Sequence, residues 1–337
     1  YVRDLAVGQQ QWVEILKALY LNARILILDE PTAVLTPDES ERLFHIIDQM
    51  CQRHISIILI SHKMSEVMQA DRVTVLRKGA VVGAVETADA TPDILTKMMV
   101  GRDVALRVSR TNPADQGDVK KPVLEVRNVS YVAASGKSAL TDITLTIHSG
   151  EILGLAGVSG NGQKELFEVL SGILVPNSGE ITLDGATVNG MQSRDYMQRG
   201  VGLIPDDRFR EGLIPEFSVQ ENMILGWQRD DAYTSGPLLS AAKIKENGEA
   251  MIDAFQIKVP SGATPVNHLS GGNAQKVILA REFSQSSTLL LANQPTRGLD
   301  LGVIEYVYSQ IIAKRDQGYA VLLASEELED LLNISDR

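Results

Sequence analysis

The chain repeats itself. Leu5-Ala6-Val7-Gly8-Gln9-Gln10-Gln11 matches Leu269-Ser270-Gly271-Gly272-Asn273-Ala274-Gln275, 264 positions further on. The same offset carries Asp29-Glu30-Pro31-Thr32 onto Asn293-Gln294-Pro295-Thr296 and Ser61-His62 onto Ser325-Glu326. After a one-residue slip, Asp71-Arg72 falls on Asp336-Arg337. Three motifs at one fixed offset mean two copies of one folding unit, which is the strongest constraint on what this chain can become. Its 337 residues suit two domains of roughly 100–200 residues each, and 44% hydrophobic content is ample for two buried cores.

Apolar periodicity vanishes between about Asp103 and Pro122, where Asn112-Pro113, Gly117 and adjacent lysines read as a linker. The expected division is therefore 1–102, a linker at 103–122, and a second copy at 123–337. In that second copy Leu124-Glu125-Val126 and Ile143 to Ile147 alternate like strands, and Glu151 to Ala156 is a β run ending in a glycine-rich turn. Compared with each other, both copies read as cut. The first has only Tyr1 to Asp4 before its repeat motif, so the counterpart of the Gly157 turn is missing, and the second stops where the first continues through Val73-Thr74-Val75-Leu76 to Gly79. The expectation is a piece of a longer protein.

No apolar run approaches the roughly 18–20 residues of a membrane-spanning helix, the longest being short β-type runs such as Ile57 to Ile60. Tyr1-Val2-Arg3-Asp4 runs straight into motif sequence without a basic, apolar leader. A cytoplasmic segment is expected, with any membrane role exerted through a partner. The single cysteine, Cys51, excludes an internal disulfide and a cysteine-built metal site. A net charge of −11 disfavours non-specific binding to nucleic acid, which needs a Lys/Arg surface.

Arg24-Ile25-Leu26-Ile27-Leu28 reads as a short buried strand that delivers Asp29 and Glu30 at its C-terminal end. Paired carboxylates there suit nucleotide hydrolysis: Asp29 would hold Mg²⁺ through its waters, and Glu30 would orient and deprotonate the attacking water. A second buried strand, Ile57 to Ile60, places Ser61 and His62, whose neutral ring can donate to a γ-phosphate and link it to the base. Leu269 to Gln275 reads as a glycine turn opening a helix. Its exposed N–H groups, its dipole and the Ser270 hydroxyl form an anion site, with Gly271, Gly272 and Gln275 in the same motif.

These motifs resemble those of the ABC transporter ATPase family, with signature, Walker B and histidine-switch segments in the usual order, over essentially the whole chain. The resemblance implies an α/β fold of P-loop NTPase type: tandem ABC domains with a RecA-like parallel sheet core, an antiparallel β subdomain and a helical signature subdomain. Ala33-Val34-Leu35-Thr36-Pro37 and Gln294-Pro295-Thr296-Arg297-Gly298-Leu299-Asp300 resemble ATPases of simple-sugar and nucleoside importers, the nucleoside subgroup more closely.

Against that pattern the second copy is degenerate. Gly157-Val158-Ser159-Gly160-Asn161-Gly162-Gln163-Lys164 follows a strand and precedes a helix, as a phosphate loop does, but Gln163 and Lys164 stand where Lys and Ser/Thr are usual. Lys164 lies one residue on, about 100° around a helix, so it does not simply substitute. Asn293 and Gln294 replace the Walker B acids, Glu326 replaces the switch histidine, and Asp206 lies in the segment that usually carries a metal-sensing glutamine. Binding of ATP without hydrolysis is expected at this loop, with Tyr131 either stacking on adenine or packing within its strand.

The family's head-to-tail packing would combine Asp29, Glu30 and His62 with the second signature. It would set the degenerate loop against the first signature, which has Gly8 and Gln11 but Ala6 where the second has Ser270. The implied cofactors are ATP and Mg²⁺. The implied partners are integral-membrane permease subunits, indirectly a periplasmic or lipid-anchored substrate-binding protein, and a second ATPase half, with no nucleic acid; the location is the cytoplasmic face of the membrane. Without the first phosphate loop the chain itself should not hydrolyse ATP. The rival is a soluble tandem ATPase acting on ribosomes or nucleic acid, for which basic inserts and two intact sites would be expected.

Overall fold

In the computed structural model the described residues are 2, 7–20, 23–32, 35, 37–77, 79–101, 121–133, 136, 138–157, 160–284 and 288–337. Two compact units emerge: 1–104 with 300–302, and 105–299 with 303–337. Of the expected linker only Lys121 and Pro122 are described, and Pro122 already opens a strand.

The first unit runs α1 (Val7–Tyr20), β1 (Ile25–Asp29), α2 (Pro37–Gln52), β2 (Ser56–Ile60), α3 (Met64–Val67), β3 (Arg72–Arg77), β4 (Ala80–Glu86) and α4 (Pro92–Val100). Strands β1 and β2 pair in parallel, from Ile25 opposite Ser56 to Asp29 opposite Ile60. Helix α2 starts with Asp38 and Glu39 in its first turn, which suits the helix dipole. It then presents Leu43, Phe44, Ile47 and Met50, on one helical face, to Leu26 and Leu28 of β1 and Ile15 of α1. Because strand side chains alternate, that packing covers one face only: Ile25 and Ile27 are 62% and 63% exposed. Helix α4 has a capped start and stop, Thr91 accepting the Ile94 N–H at 3.3 Å and Gly101 at φ +86° ending it.

The second unit runs β5 (Pro122–Val132), β6 (Ser138–His148), β7 (Glu151–Ala156), α5 (Gln163–Leu170), β8 (Ser178–Leu183), β9 (Ala186–Thr187), α6 (Ser193–Gln198), β10 (Val201–Ile204) and α7 (Val219–Met223). It continues through β11 (Thr234–Ser235), β12 (Leu238–Leu239), α8 (Ala241–Ala254), α9 (Gly271–Ser284), β13 (Leu289–Asn293), α10 (Leu301–Asp316), β14 (Ala320–Ser325) and α11 (Leu328–Ile334). A parallel sheet in the order β10-β13-β14-β7 forms the centre, and an antiparallel sheet, β6-β5-β8-β9, packs beside it. Successive residues of β13 and β14 serve two cores. Leu290, Ala292, Val321 and Leu323 face the one built with α9, while Leu289, Leu291, Ala320, Leu322 and Ala324 face the one built with α5 and the antiparallel sheet. Burial on both faces explains the unbroken apolar runs Leu-Leu-Leu-Ala and Ala-Val-Leu-Leu-Ala.

The sequence repeat is also a structural one. Helices α1 and α9, strands β1 and β13, and helices α2 and α10 each begin and end at the same offset, and the β13–β14 register, Leu289 opposite Ala320 to Asn293 opposite Ala324, reproduces that of β1–β2.

The helical part after β10 is held by one buried amide. Asn222, 0% exposed, accepts the Ile214 N–H at 2.8 Å and donates to the carbonyls of Ile214, Phe217 and Ser218 at 3.0–3.2 Å. Each of the three carbonyls also accepts a backbone N–H, from Phe217, Val266 and Asn222 respectively, so Asn222→Ala costs chiefly the acceptor of the Ile214 N–H, and thermal or denaturant unfolding of the full chain should show a loss of about 1–3 kcal/mol.

Candidate active site

Parallel pairing of β1 with β2 puts their C-terminal ends side by side. Asp29 is the last residue of β1 and Glu30 the first beyond it, and the Glu30 N–H donates to the Ile60 carbonyl at 2.9 Å. Glu30 sits at φ +43°, in left-handed backbone, which costs a non-glycine residue on the order of 1–3 kcal/mol and survives only where the surroundings enforce it. The backbone turn aims its carboxylate at His62, just beyond β2, with Nδ1 2.8 Å from Oε1. Residues 32 apart in sequence thus meet as a carboxylate–imidazole pair at a strand-end rim, Glu30 42% and His62 21% exposed in their side chains. A carboxylate partner makes Nδ1–H the donor, and a neutral ring has no second N–H. Donating to Glu30 and a phosphate together requires the doubly protonated ring.

Beneath this pair lies an element that motif reading missed. Thr32 Oγ1 donates to Oε1 of Glu66, Ser61 Oγ donates to Oε2 at 2.6 Å, and the Lys63 N–H donates to Ser61 Oγ at 3.1 Å. Glu66 is 5% and Thr32 3% exposed. The second unit holds the same arrangement: Thr296 Oγ1 and Ser325 Oγ reach Asp330 Oδ2 at 3.2 and 3.3 Å, and the Glu327 N–H reaches Ser325 Oγ at 3.1 Å. Asp330 stands 264 positions after Glu66, so the repeat was the signal that could have found both. Burial raises the Asp330 pKa, against the opposing bonds from Tyr308, Thr296 and Ser325.

The remaining sequence-derived residues fall into separate groups. Gly8 and Gln11 lie in the first turns of α1, while Ala6 is outside the described residues. Trp12 packs on the α1–α2 core, which accounts for an apolar residue there. Its counterpart Lys276 instead donates to the Gln256 carbonyl at 3.0 Å and lies 4.3 Å from the Tyr306 ring centre. At the start of α9, Ser270 Oγ accepts from the Asn273 side chain at 3.1 Å and its N–H at 3.5 Å, and Gly271 and Gly272 open the helix. Gln275 differs from expectation: it is 1% exposed, turned into the core, with Nε2 unbonded. Three residues past the two glycines, it falls on the face by which α9 packs on the sheet.

The glycine loop spans β7 and α5. Gly160 at φ +87° and Gly162 at φ +95° make the turn, and Gly162 caps α5 so close to the Ala139 carbonyl that a Cβ would lie 2.5 Å from it. Ser159 is outside the described residues. Gln163 folds back over the turn: its Oε1 accepts the Asn161 N–H at 3.2 Å, and its Nε2 lies where a Cβ on Gly157 would collide with it. A loop N–H of the kind that would face phosphate is thus bonded within the chain. Lys164 points elsewhere, to Glu211 and, at 3.8 Å, Glu168, and the Glu211 bond raises its pKa over the opposing effect of burial. Its ammonium is not brought into the loop. Tyr131 packs within β5 against the core beside α5.

At the second rim Gln294 repeats the left-handed backbone, φ +51°, and its N–H bonds the Ala324 carbonyl at 2.9 Å, but Asn293 is a buried amide. Gln294 Oε1 accepts the Glu326 N–H at 3.2 Å. Asp206 is taken by Arg297 at 2.7 Å, and Arg208 donates to the Arg297 carbonyl. Burial lowers the Arg208 pKa; for Arg297 burial is outweighed by Asp206, and its pKa is raised.

Among the described residues no group of three or more His, Cys, Asp or Glu side chains could hold a metal ion by itself. A hard cation shared with substrate phosphates needs only one or two carboxylates. Asp29 at the first rim fits that need, and the amides at the second do not.

The family described as ABC transporter matches residues 140–297. The chain is 45% identical, over all its length, to a glucose import ATP-binding protein of Haloferax volcanii, covering 61% of that protein. It is 41% identical to a nucleoside import ATP-binding protein of Lactococcus lactis subsp. cremoris, with 100% of this chain and 66% of that one covered. It is also 41% identical to a guanosine import ATP-binding protein of Bacillus subtilis, with 99% and 65% covered. The chain therefore spans about two thirds or less of the curated relatives it matches. Among solved structures, a dimeric ATP-binding cassette in a post-hydrolysis state bound to ADP and Pi aligns with a TM-score of 0.54 at 21% identity, covering 63% of this chain and 94% of that one. A nucleotide-free cassette from an ABC transporter aligns at 0.53 and 17%, covering 64% and 85%. Both likenesses establish the fold.

If the Gln163 amide and not Lys164 governs the glycine loop, Lys164→Ala should leave affinity for a fluorescent ATP analogue within about twofold. Gln163→Lys, adding one charge-assisted bond to phosphate, should tighten it by about tenfold or more in the same titration of the full chain.

Proposed function

Because the chain belongs to the ABC transporter ATP-binding family, we propose that it serves in the ATP-hydrolysing subunit of an importer, with one competent and one degenerate ATP site. The observation that carries this reading is the contrast between the two strand-end rims. At one, Asp29, Glu30 and His62 present two carboxylates and an imidazole, with Glu30 and His62 2.8 Å apart; at the other, Asn293, Gln294 and Glu326 present two amides and a carboxylate.

Glu30 is the general base. With Oε1 held by His62, Oε2 is the oxygen that accepts a proton from the attacking water, and the imidazole keeps the carboxylate from rotating away. Mg²⁺, when bound with ATP, supplies charge neutralisation at the phosphate oxygens, and Asp29 would hold it through water. At the second rim Gln294 has no basic oxygen of useful strength. There the glycine loop, Gly157 to Lys164, offers backbone donors for binding without hydrolysis.

No helix among the described residues is long and apolar enough to cross a membrane, so permease subunits would form the translocation path and this chain would sit on their cytoplasmic side. The solute is a simple sugar or a nucleoside. The relatives' names include glucose, nucleoside and guanosine import, with the glucose relative at the higher identity, so the nucleoside preference drawn from the motifs is not carried forward.

Steady-state ATPase measurements on the full-length protein test this. Glu30→Gln should lower turnover by about 100-fold or more, the usual contribution of a general base, while Gln294→Ala should leave it within about twofold. Substantial turnover in Glu30→Gln would place hydrolysis at the second rim and end the asymmetric reading.

A further inference from the structure

We propose that Glu66 is a positioning residue for ATP hydrolysis, a buried carboxylate clamp that holds Glu30 and His62 in register with each other. The inference rests on the reading of Glu30 as the base. The base and the histidine sit on two different turns, which the Glu30 N–H bond to the Ile60 carbonyl joins through the backbone. Glu66 joins them a second time, through side chains. One of its oxygens takes the hydroxyl of Thr32, two residues after Glu30, and the other takes the hydroxyl of Ser61, immediately before His62. Both oxygens of one nearly buried carboxylate are thus spent on joining the turns that carry the reacting pair.

The clamp also explains how a left-handed Glu30 persists. Its N–H is fixed to Ile60, and two residues later Thr32 is fixed to Glu66, so the turn is held on both sides of the strained residue. Ser61 is fixed twice as well, by Glu66 and by the Lys63 N–H. A side chain bolted at its root in this way loses little further freedom when the substrate arrives, which is how distant residues influence turnover.

The second unit supplies an internal comparison. There Asn293, Gln294 and Glu326 stand where the first unit has Asp29, Glu30 and His62, but the clamp survives, built with the shorter Asp330, both hydroxyls reaching the same oxygen. An aspartate therefore spans the same two turns, and Glu66→Asp is the conservative variant that should work.

The test measures kcat, KM for ATP and thermal unfolding in the full-length protein. Glu66→Leu should lower kcat by about 10- to 100-fold while KM stays within about twofold, and Glu66→Asp should restore most of the loss. Thr32→Val, which keeps shape and removes one donor, should lower kcat by a smaller factor and add nothing further in the Glu66→Leu background. Thr32→Val also reports on the clamp should Glu66→Leu fail to fold. Wild-type kcat in Glu66→Leu or in Thr32→Val, with Glu30→Gln inactive, overturns the clamp and leaves the base assignment standing. So does a loss in Glu66→Leu matched by lower thermal stability and not restored by Glu66→Asp. Turnover surviving in Glu30→Gln removes the base assignment itself, and the clamp's catalytic role with it.

Discussion

The parallel pairing of two short strands is the constraint on which the rest depends. Registering Asp29 with Ile60, and Asn293 with Ala324, brings together two turns that are some thirty residues apart in the chain. Parallel strands need a crossover between them, here helices α2 and α10, and that helix must bury an apolar face on the strands it connects. The rim chemistry is the consequence: whatever follows each strand is delivered to one edge, side by side, on a rigid base. Ligands of open α/β sheets bind outside the carboxyl ends of the strands for the same reason.

Holding that rim requires more than strands. In both units the residue after the first strand takes a left-handed backbone, its N–H bonds the end of the second strand, and an acid, buried in the first unit and partly buried in the second, joins a threonine and a serine on the two turns. These features are shared although the exposed groups differ. The scaffold has been kept in the second unit while the groups proposed to react have been exchanged for amides. An amide fits the same turn as a carboxylate at similar volume, so the fold tolerates the exchange that the proposed chemistry does not. Electrostatics follow the same division. The first rim presents Glu30 to a histidine; the second ties Asp206 to Arg297 and Lys164 to Glu211, neutralising charges within the chain.

Much of this was legible in the residues. The repeat needed only the alignment of Leu5 with Leu269, and it located the strand-end acids, the histidine and the degenerate counterparts before any coordinates. Helices α1 and α9, and α2 and α10, share their boundaries at the offset of the repeat. Gln275 was misjudged because a motif gives no direction: whether a helical residue meets solvent or the sheet depends on how α9 packs. The Glu66 clamp was overlooked because its partners are a threonine and a serine at sequence distances of 34 and 5, a contact that only the strand pairing creates.

The sequence by itself determined that there are two copies of one α/β unit, that one carries acids and a histidine where the other carries amides and a glutamate, and that the glycine loop lacks its usual lysine. Composition, periodicity and repetition are local properties, so they survive without a fold. Tertiary structure alone decided which side chains meet: His62 with Glu30, Glu66 with Thr32 and Ser61, Gln163 with the N–H of its own loop, and Lys164 with Glu211 instead of the loop. Hydrogen bonds and ion pairs act over about 3–4 Å, and separations on that scale are set by strand register and helix packing, which the chain acquires only when it is folded.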